Sequence, residues 1–166
     1  MKETADDLAR VQDLLDQSYA SAGAHLRSIH TADRRLTAEE LAERLTGMCL
    51  LTLATTTSDG RPITGPVDGV FHRGDWWFGS APNSLRARHI ERDPRVSVTH
   101  VPGEHLGVVT HGRVADTRIA SDLPDDVQHT MVEIYGETWH EWGSDAVYWR
   151  LEAERMFTFH MDSAGT

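Results

Sequence analysis

The 166-residue sequence predicts an α+β domain in which a six-stranded antiparallel β-barrel is flanked by helices, with an extra helix at the N-terminus. Three observations carry this. Short segments of alternating apolar and polar residues follow one another, each closed by a turn rich in Gly, Asp or Pro. Segments with helical spacing of apolar residues stand before and between them. Hydrophobic residues make up 39% and charged residues 25% of the chain, which is ordinary for one globular core.

Taken in order, residues 4–29 read as a helix. Leu8, Val11, Leu14, Leu15 and Leu26 recur at helical spacing, with Asp6, Asp7, Asp13 and Asp16 on other faces. Gly23 weakens its second half. After the polar connector "HTADRR", Thr37 opens "TAEELAERL", where Thr37 and Glu40 have capping-box spacing and Gly47 is a stop. The period then changes. "MCLLTLATTT" is a strand and "SDG" a turn. "RPITGPVDGVFHR" is a second strand, interrupted by Pro62 and Pro66, and "WWFGSA" follows a Gly-Asp turn. "NSLRARHIERD" is a short helix ended before Pro94. "RVSVTHV", the turn "PGEH" and "LGVVTHGRVADTRI" form the next hairpin. "LPDDVQHTMVEIYGETW" is a helix and "VYWRLEAERMFTFHM" the last strand. Residues 1–35 form a helical extension and residues 36–166 the barrel domain.

Composition excludes several classes. A net charge of −10 argues against a nucleic-acid binder. No apolar run approaches the ~20 residues that span a bilayer. The amphipathic N-terminus has no signal-peptide core, so a cytoplasmic location is expected. Cys49 is the only cysteine, so no intrachain disulfide or multi-cysteine metal site is possible; in its apolar run it reads as a small buried hydrophobe. His100, His105, His111 and His140 show no metal-binding spacing, and no metal site is expected. No nucleophile elbow is present. No side chain stands out as a general acid or base, so the catalytic residues are not assigned.

The strongest candidate site is the strand–turn–helix at residues 76–92. A helix N-terminus offers free N–H groups to phosphate. Ser80 and Ser84 add hydroxyls, and Arg86 a charge-assisted contact. The alternative is a solvated face, in which Arg86, Arg88, Arg92 and Arg95 pair with Glu91, Asp93 or water. The prolines of the second strand carry another signal. Proline cannot donate to a ladder and belongs at an edge or bulge. The backbone of residues 65–69 then either faces a flat ligand with a polar edge or is simply an edge strand. Five tryptophans, Trp76, Trp77, Trp139, Trp142 and Trp149, suit a core, a subunit interface or stacking on a planar cofactor.

In this order the pieces resemble the pyridoxamine 5′-phosphate oxidase-like, FMN-binding split-barrel family over residues 36–159. "LTAEELAERL" resembles its leading helix and "LLTLATTTSDGRPITGPV" its first hairpin. "WWFGSAPNSLRARHIERDPRVSV" resembles its most diagnostic stretch, through Ser84, Leu85, Arg86, Ala87 and then Pro94, Arg95, Val96. "VVTHGRV" and "WRLEAERMFTF" resemble two later strands. The resemblance implies a split barrel and an FMN-dependent oxidoreductase acting on a small organic substrate. It implies a homodimer with cofactor sites at the subunit interface. Ser84 and Arg86 would hold the flavin phosphate, with Gly79 and Ser80 nearby. Pro66, Val67, Asp68 and Gly69 would run past the ring, and Trp149 or Arg150 would come from the partner. A deazaflavin cofactor, or a non-catalytic flavin- or haem-binding module, are the alternatives. Leu85 replaces a basic residue that many members carry, and Gly65 a usual arginine. The C-terminal Arg/His motif of the vitamin B6 enzymes has no counterpart after Phe159, so vitamin B6 synthesis is not expected.

Overall fold

A computed structural model describes residues 2–161; the last five residues of the expected barrel domain lie outside the described ones. Helices α1 (Ala5–Ala20), α2 (Ala24–Ile29) and α3 (Ala38–Arg44) lead into strands β1 (Met48–Thr56), β2 (Pro62–His72) and β3 (Asp75–Ser80). Helix α4 (Leu85–Arg92) precedes β4 (Arg95–Gly103) and β5 (Leu106–Ile119). Helices α5 (Asp125–Tyr135) and α6 (Trp139–Trp142) then lead to β6 (Val147–His160). The strands close in the order β1-β2-β3-β6-β5-β4, every pairing antiparallel. This is the expected α+β barrel. Among the described residues no helix is long and apolar enough to cross a membrane.

The barrel interior is filled by alternate residues of all six strands, among them Leu51, Val98, Val108, Trp76, Trp149, Leu151 and Met156. Trp76 Nε1 donates to Thr110 Oγ1 at 3.1 Å, so its polar edge is satisfied inside the core. A second apolar cluster lies outside the barrel, where Val127, Met131 and Trp139 of the α5–α6 segment pack on Val70, Trp77 and Tyr148.

Three local expectations are corrected. The single helix over 4–29 is two, because the chain turns at residues 21–23 before Gly23 starts α2 in extended backbone. The helix expected to run through "YGETW" stops at Tyr135: Gly136 takes φ 83°, a left-handed conformation that ends helices. The prolines do not interrupt the second strand, which pairs with β1 without a break from Met48↔Val70 to Thr56↔Pro62. Strand β3 reaches only from Gly69↔Phe78 to His72↔Asp75, so residues 62–68 keep one edge without a partner strand. In a strand the N and O of one residue point to the same side. The Pro66 carbonyl is taken by Arg86, so its missing N–H also falls on the free side.

Helix α1 starts from a capping box, Thr4 with Asp7, and packs along β6. Beyond Leu151, β6 has no pairing with β3. There Ser18 and Tyr19 of α1 take up its backbone: Ser18 Oγ accepts from Met156 N at 2.9 Å, and Tyr19 Oη accepts from Thr158 N at 2.9 Å. Tyr19 Oη also donates to the Thr158 carbonyl at 2.6 Å. The N-terminal helix thus covers a strand edge that would otherwise expose unpaired groups.

Candidate functional site

Strand β3 delivers the chain to the start of α4, where Ser84 is the N-cap. Its Oγ accepts from Ala87 N at 3.2 Å and from Ser80 Oγ at 3.2 Å. The backbone N–H groups of Leu85 and Arg86 are left without helical partners, as at any helix start. Arg86 reaches across to the free half of β2, where its Nη2 donates to the Pro66 carbonyl at 2.9 Å. A Cβ on Gly65 would stand 3.5 Å from that nitrogen, so the guanidinium lies directly over the glycine. The Ser80 and Ser84 hydroxyls, the first N–H groups of α4 and the Arg86 guanidinium thus belong to one strand–turn–helix segment, which Arg86 ties to the free half of β2. This donor set fits the phosphate of a flavin nucleotide.

The other arginines of the stretch have different tasks. Arg95 clasps Asp93 with two bonds, Nε to Oδ1 at 2.9 Å and Nη2 to Oδ2 at 2.7 Å. That hydrogen-bonded pair holds the Asp93 carboxyl down at about 2. Arg92 donates to the Thr56 carbonyl at the end of β1. Of the cluster, only Arg95 makes an ion pair among the described residues, and the Arg88 side chain is exposed without a bond to the protein, so a solvated face describes Arg88 and Arg95, whereas Arg86 bonds the Pro66 carbonyl.

Asp68, Gly79 and Ser80 line one cavity, and Ser80 is bonded to Ser84; Arg86 lies over Gly65 beside Leu53 and Thr55, and is tied to Pro66 by its bond to that carbonyl. Val67 and Gly69 point inward. A Cβ at Gly69 would meet Leu51 Cδ1 at 2.3 Å, so this glycine serves core packing. Trp149 departs from its expected role at a partner's site. Its ring is 2% exposed and packs inside the barrel against Phe78, with centroids 5.7 Å apart. Arg150 is held between two carboxylates, Asp116 Oδ2 at 3.0 Å and Asp75 Oδ2 at 3.4 Å.

The cavity has a volume of about 230 Å³ and opens beside Asp68, Gly79 and Ser80. Its far wall comes from Met131 and Tyr135 of α5, which the sequence did not single out, and from Trp139 and Trp142 of α6, which it offered only as core, interface or stacking residues. The signal was present in the closely spaced aromatics of "IYGETWHEW". Burial, with a further push from the Asp68 charge, raises the Tyr135 hydroxyl to about 12. The histidines are separately engaged: His100 Nδ1 lies 2.9 Å from the Leu50 carbonyl and His111 Nδ1 2.7 Å from Ser97 Oγ. No group of three metal-ligating side chains occurs among the described residues.

A closed six-stranded antiparallel barrel with flanking helices and a free half-edge on its second strand defines the split-barrel class. The chain belongs to the pyridoxamine 5′-phosphate oxidase family, which it matches over residues 37–160. Among solved structures it is similar to the conserved hypothetical protein Rv2991 from Mycobacterium tuberculosis, with 21% identity, a TM-score of 0.62, and coverage of 82% of this chain and 97% of that one. It is also similar to a FAD-binding protein from Mesorhizobium loti, with 24% identity, a TM-score of 0.53, and coverage of 75% and 93%. An F420 reductase gives 17% identity, a TM-score of 0.52, and coverage of 69% and 93%. These likenesses establish the fold. No curated protein matches the chain in sequence.

Proposed function

We propose that the protein is a homodimeric, FMN-dependent oxidoreductase acting on a small organic substrate. The observation that carries this is the α4 start, with Ser80 bonded to the Ser84 cap and Arg86 bonded to the Pro66 carbonyl on the free edge of β2. When bound, the flavin supplies the redox chemistry as a hydride carrier. The chain's own residues bind and orient. Ser84, Arg86 and the N–H groups of Leu85 and Arg86 hold the phosphate, and Gly65 gives Arg86 room to lie on the strand. The unpaired backbone of residues 62–68 offers hydrogen bonds to the polar edge of the ring. A deazaflavin cofactor is the second reading, supported by the fold shared with an F420 reductase.

Dimerisation is supported by apolar side chains left exposed in the single chain: Met48 and Leu50 on β1, Ile63 on the free half of β2, Leu85 at the start of α4 and Val101 on β4. An obligate interface there would bury more than ~2,000 Å². Light scattering showing a monomer at micromolar concentration would remove this part of the proposal.

The cofactor test is a titration of FMN, riboflavin and F420 into wild type, Arg86→Ala and Arg92→Ala, read by flavin fluorescence. A hydrogen bond to a charged group is worth about 1.5–3 kcal/mol, or roughly ten- to a hundredfold in affinity. Arg86→Ala weakens FMN by that order and riboflavin, which lacks the phosphate, much less. Arg92→Ala, whose side chain is engaged at Thr56, leaves the FMN-to-riboflavin ratio unchanged. Equal losses for both flavins at Arg86 refute the phosphate assignment. Tight F420 binding with no FMN binding favours the deazaflavin reading.

A further inference from the structure

We propose that the cavity between the barrel and the α5–α6 segment is a substrate subsite for a planar aromatic molecule carrying one hydrogen-bond donor, a phenol or an aromatic amine. The assignment as a substrate subsite rests on the flavin reading of the neighbouring cradle.

The cavity lies outside the barrel core, roofed by α5 and α6 and floored by β3 and β6. Its volume, about 230 Å³, suits a one- or two-ring molecule, since an apolar cavity of about 150 Å³ already takes benzene. Its walls are apolar and flat. Trp77 and Trp139 are buried in it, and Tyr135 and Trp142 meet edge to face at its rim, with centroids 5.5 Å apart. Such walls favour a ring that stacks or meets them edge-on.

The polar atoms of the lining decide the rest. Trp139 Nε1 donates to Tyr148 Oη at 3.0 Å, and Tyr148 Oη donates to the Gly143 carbonyl at 3.2 Å, so both side chains spend their donors on the protein. Ser80 Oγ is engaged with Ser84. Among the described residues the Asp68 carboxylate and the Tyr135 hydroxyl make no hydrogen bond to the protein, and the two are close enough to interact electrostatically. Asp68 is exposed at the mouth and accepts hydrogen bonds only. Asp68 carries the one charge of the lining, so a ligand held by its ring inside is favoured by a donor group at Asp68, while an aromatic carboxylate meets like charge. Ser80 lines this cavity and is bonded to Ser84 at the start of α4, which places a bound ring next to the proposed cofactor site.

The test uses ¹⁵N-labelled wild-type protein and 2-naphthol, 2-methoxynaphthalene and 2-naphthoate as probes. The five indole N–H signals divide into two sets. Trp77, Trp139 and Trp142 line the cavity, whereas Trp76 and Trp149 lie in the barrel core and act as internal controls. The expected result is that 2-naphthol shifts the first set and leaves the second unmoved. It binds about tenfold more tightly than the methoxy compound, and 2-naphthoate binds weakest. In Asp68→Ala the advantage of the naphthol narrows to less than threefold. A shift at Trp142 alone, equal shifts at all five, or no shift at all overturns the subsite. FMN binding is followed in parallel on the amide signals of Leu85 and Arg86. If those stay still while the cavity set responds, the flavin reading fails and the cavity stands as an aromatic binding site. If they respond while the cavity set does not, only the subsite fails.

Discussion

The barrel interior and the α5–α6 flank both gather tryptophans, yet they are packed to different ends. Inside the barrel, Trp76 and Trp149 are fully enclosed by strand residues such as Leu51, Leu151 and Met156, each at or near zero exposure. In the flank, Trp77 and Trp139 are as deeply buried, but they border open volume and share it with the exposed Trp142. A closed barrel forces inward side chains together from six strands, and close packing there supplies stability. The flank packs one helix pair against one outer face of the sheet, and that geometry leaves a gap at the mouth of the candidate site. The difference teaches that burial of an aromatic says little about its task; what it borders does.

The largest effect is expected inside the barrel. Trp149→Ala should cost about 3–5 kcal/mol, the range for removing a large aromatic from a core. Urea unfolding measures it, and a loss below 1 kcal/mol would mean the barrel is not the main source of stability. The two strand-two glycines sharpen the contrast further. Gly69→Ala drives a Cβ to within 2.3 Å of Leu51 Cδ1 and should destabilise by about 1–3 kcal/mol through overpacking. Gly65→Ala meets only Arg86 Nη2 at 3.5 Å and should change stability by less than about 0.5 kcal/mol. Gly65→Ala therefore reports on the cradle through FMN affinity, whereas Gly69→Ala reports on the core through the urea midpoint.

Cys49 tests how dry the interior is. Burial pushes its thiol up to about 11. The unfolded chain then loses the proton first. The thiol's contribution is complete below the unfolded value and is lost as pH rises through the folded one. Wild type should lose more stability than Cys49→Ala between pH 8 and pH 11, as urea midpoints at the two pH values will show. Equal losses would place the thiol in contact with water. A similarly small stability effect is expected at the cavity rim. Trp142→Ala should leave the urea midpoint nearly unchanged, within about 0.5 kcal/mol, while weakening 2-naphthol severalfold. A large stability loss with unaltered naphthol binding would make Trp142 part of the flank's packing instead.

Much of this protein is written locally in its sequence. The capping box of Thr37 and Glu40 is present as spacing and as bonds, with Glu40 N to Thr37 Oγ1 at 3.2 Å and Thr37 N to Glu40 Oε2 at 2.8 Å. Six segments of alternating pattern became six strands, and Ser84 caps α4 where the Ser-Leu-Arg-Ala run places it. These features depend on residues within a few positions of each other, so periodicity and capping chemistry determine them. Pairing was not legible in the same way. Alternation tells which residues share a face of a strand but not which strand lies beside it. Only the closed barrel decided that β3 stops short of residues 62–68, and so that Pro62 and Pro66 sit on a free edge inside an unbroken strand. Only closure turned Trp149 inward and set Arg150 between Asp75 and Asp116. The cavity depends on contacts between residues as distant as Asp68 and Tyr135. Such contacts arise when chain closure and packing bring separate elements together, and no spacing within either segment encodes that distance.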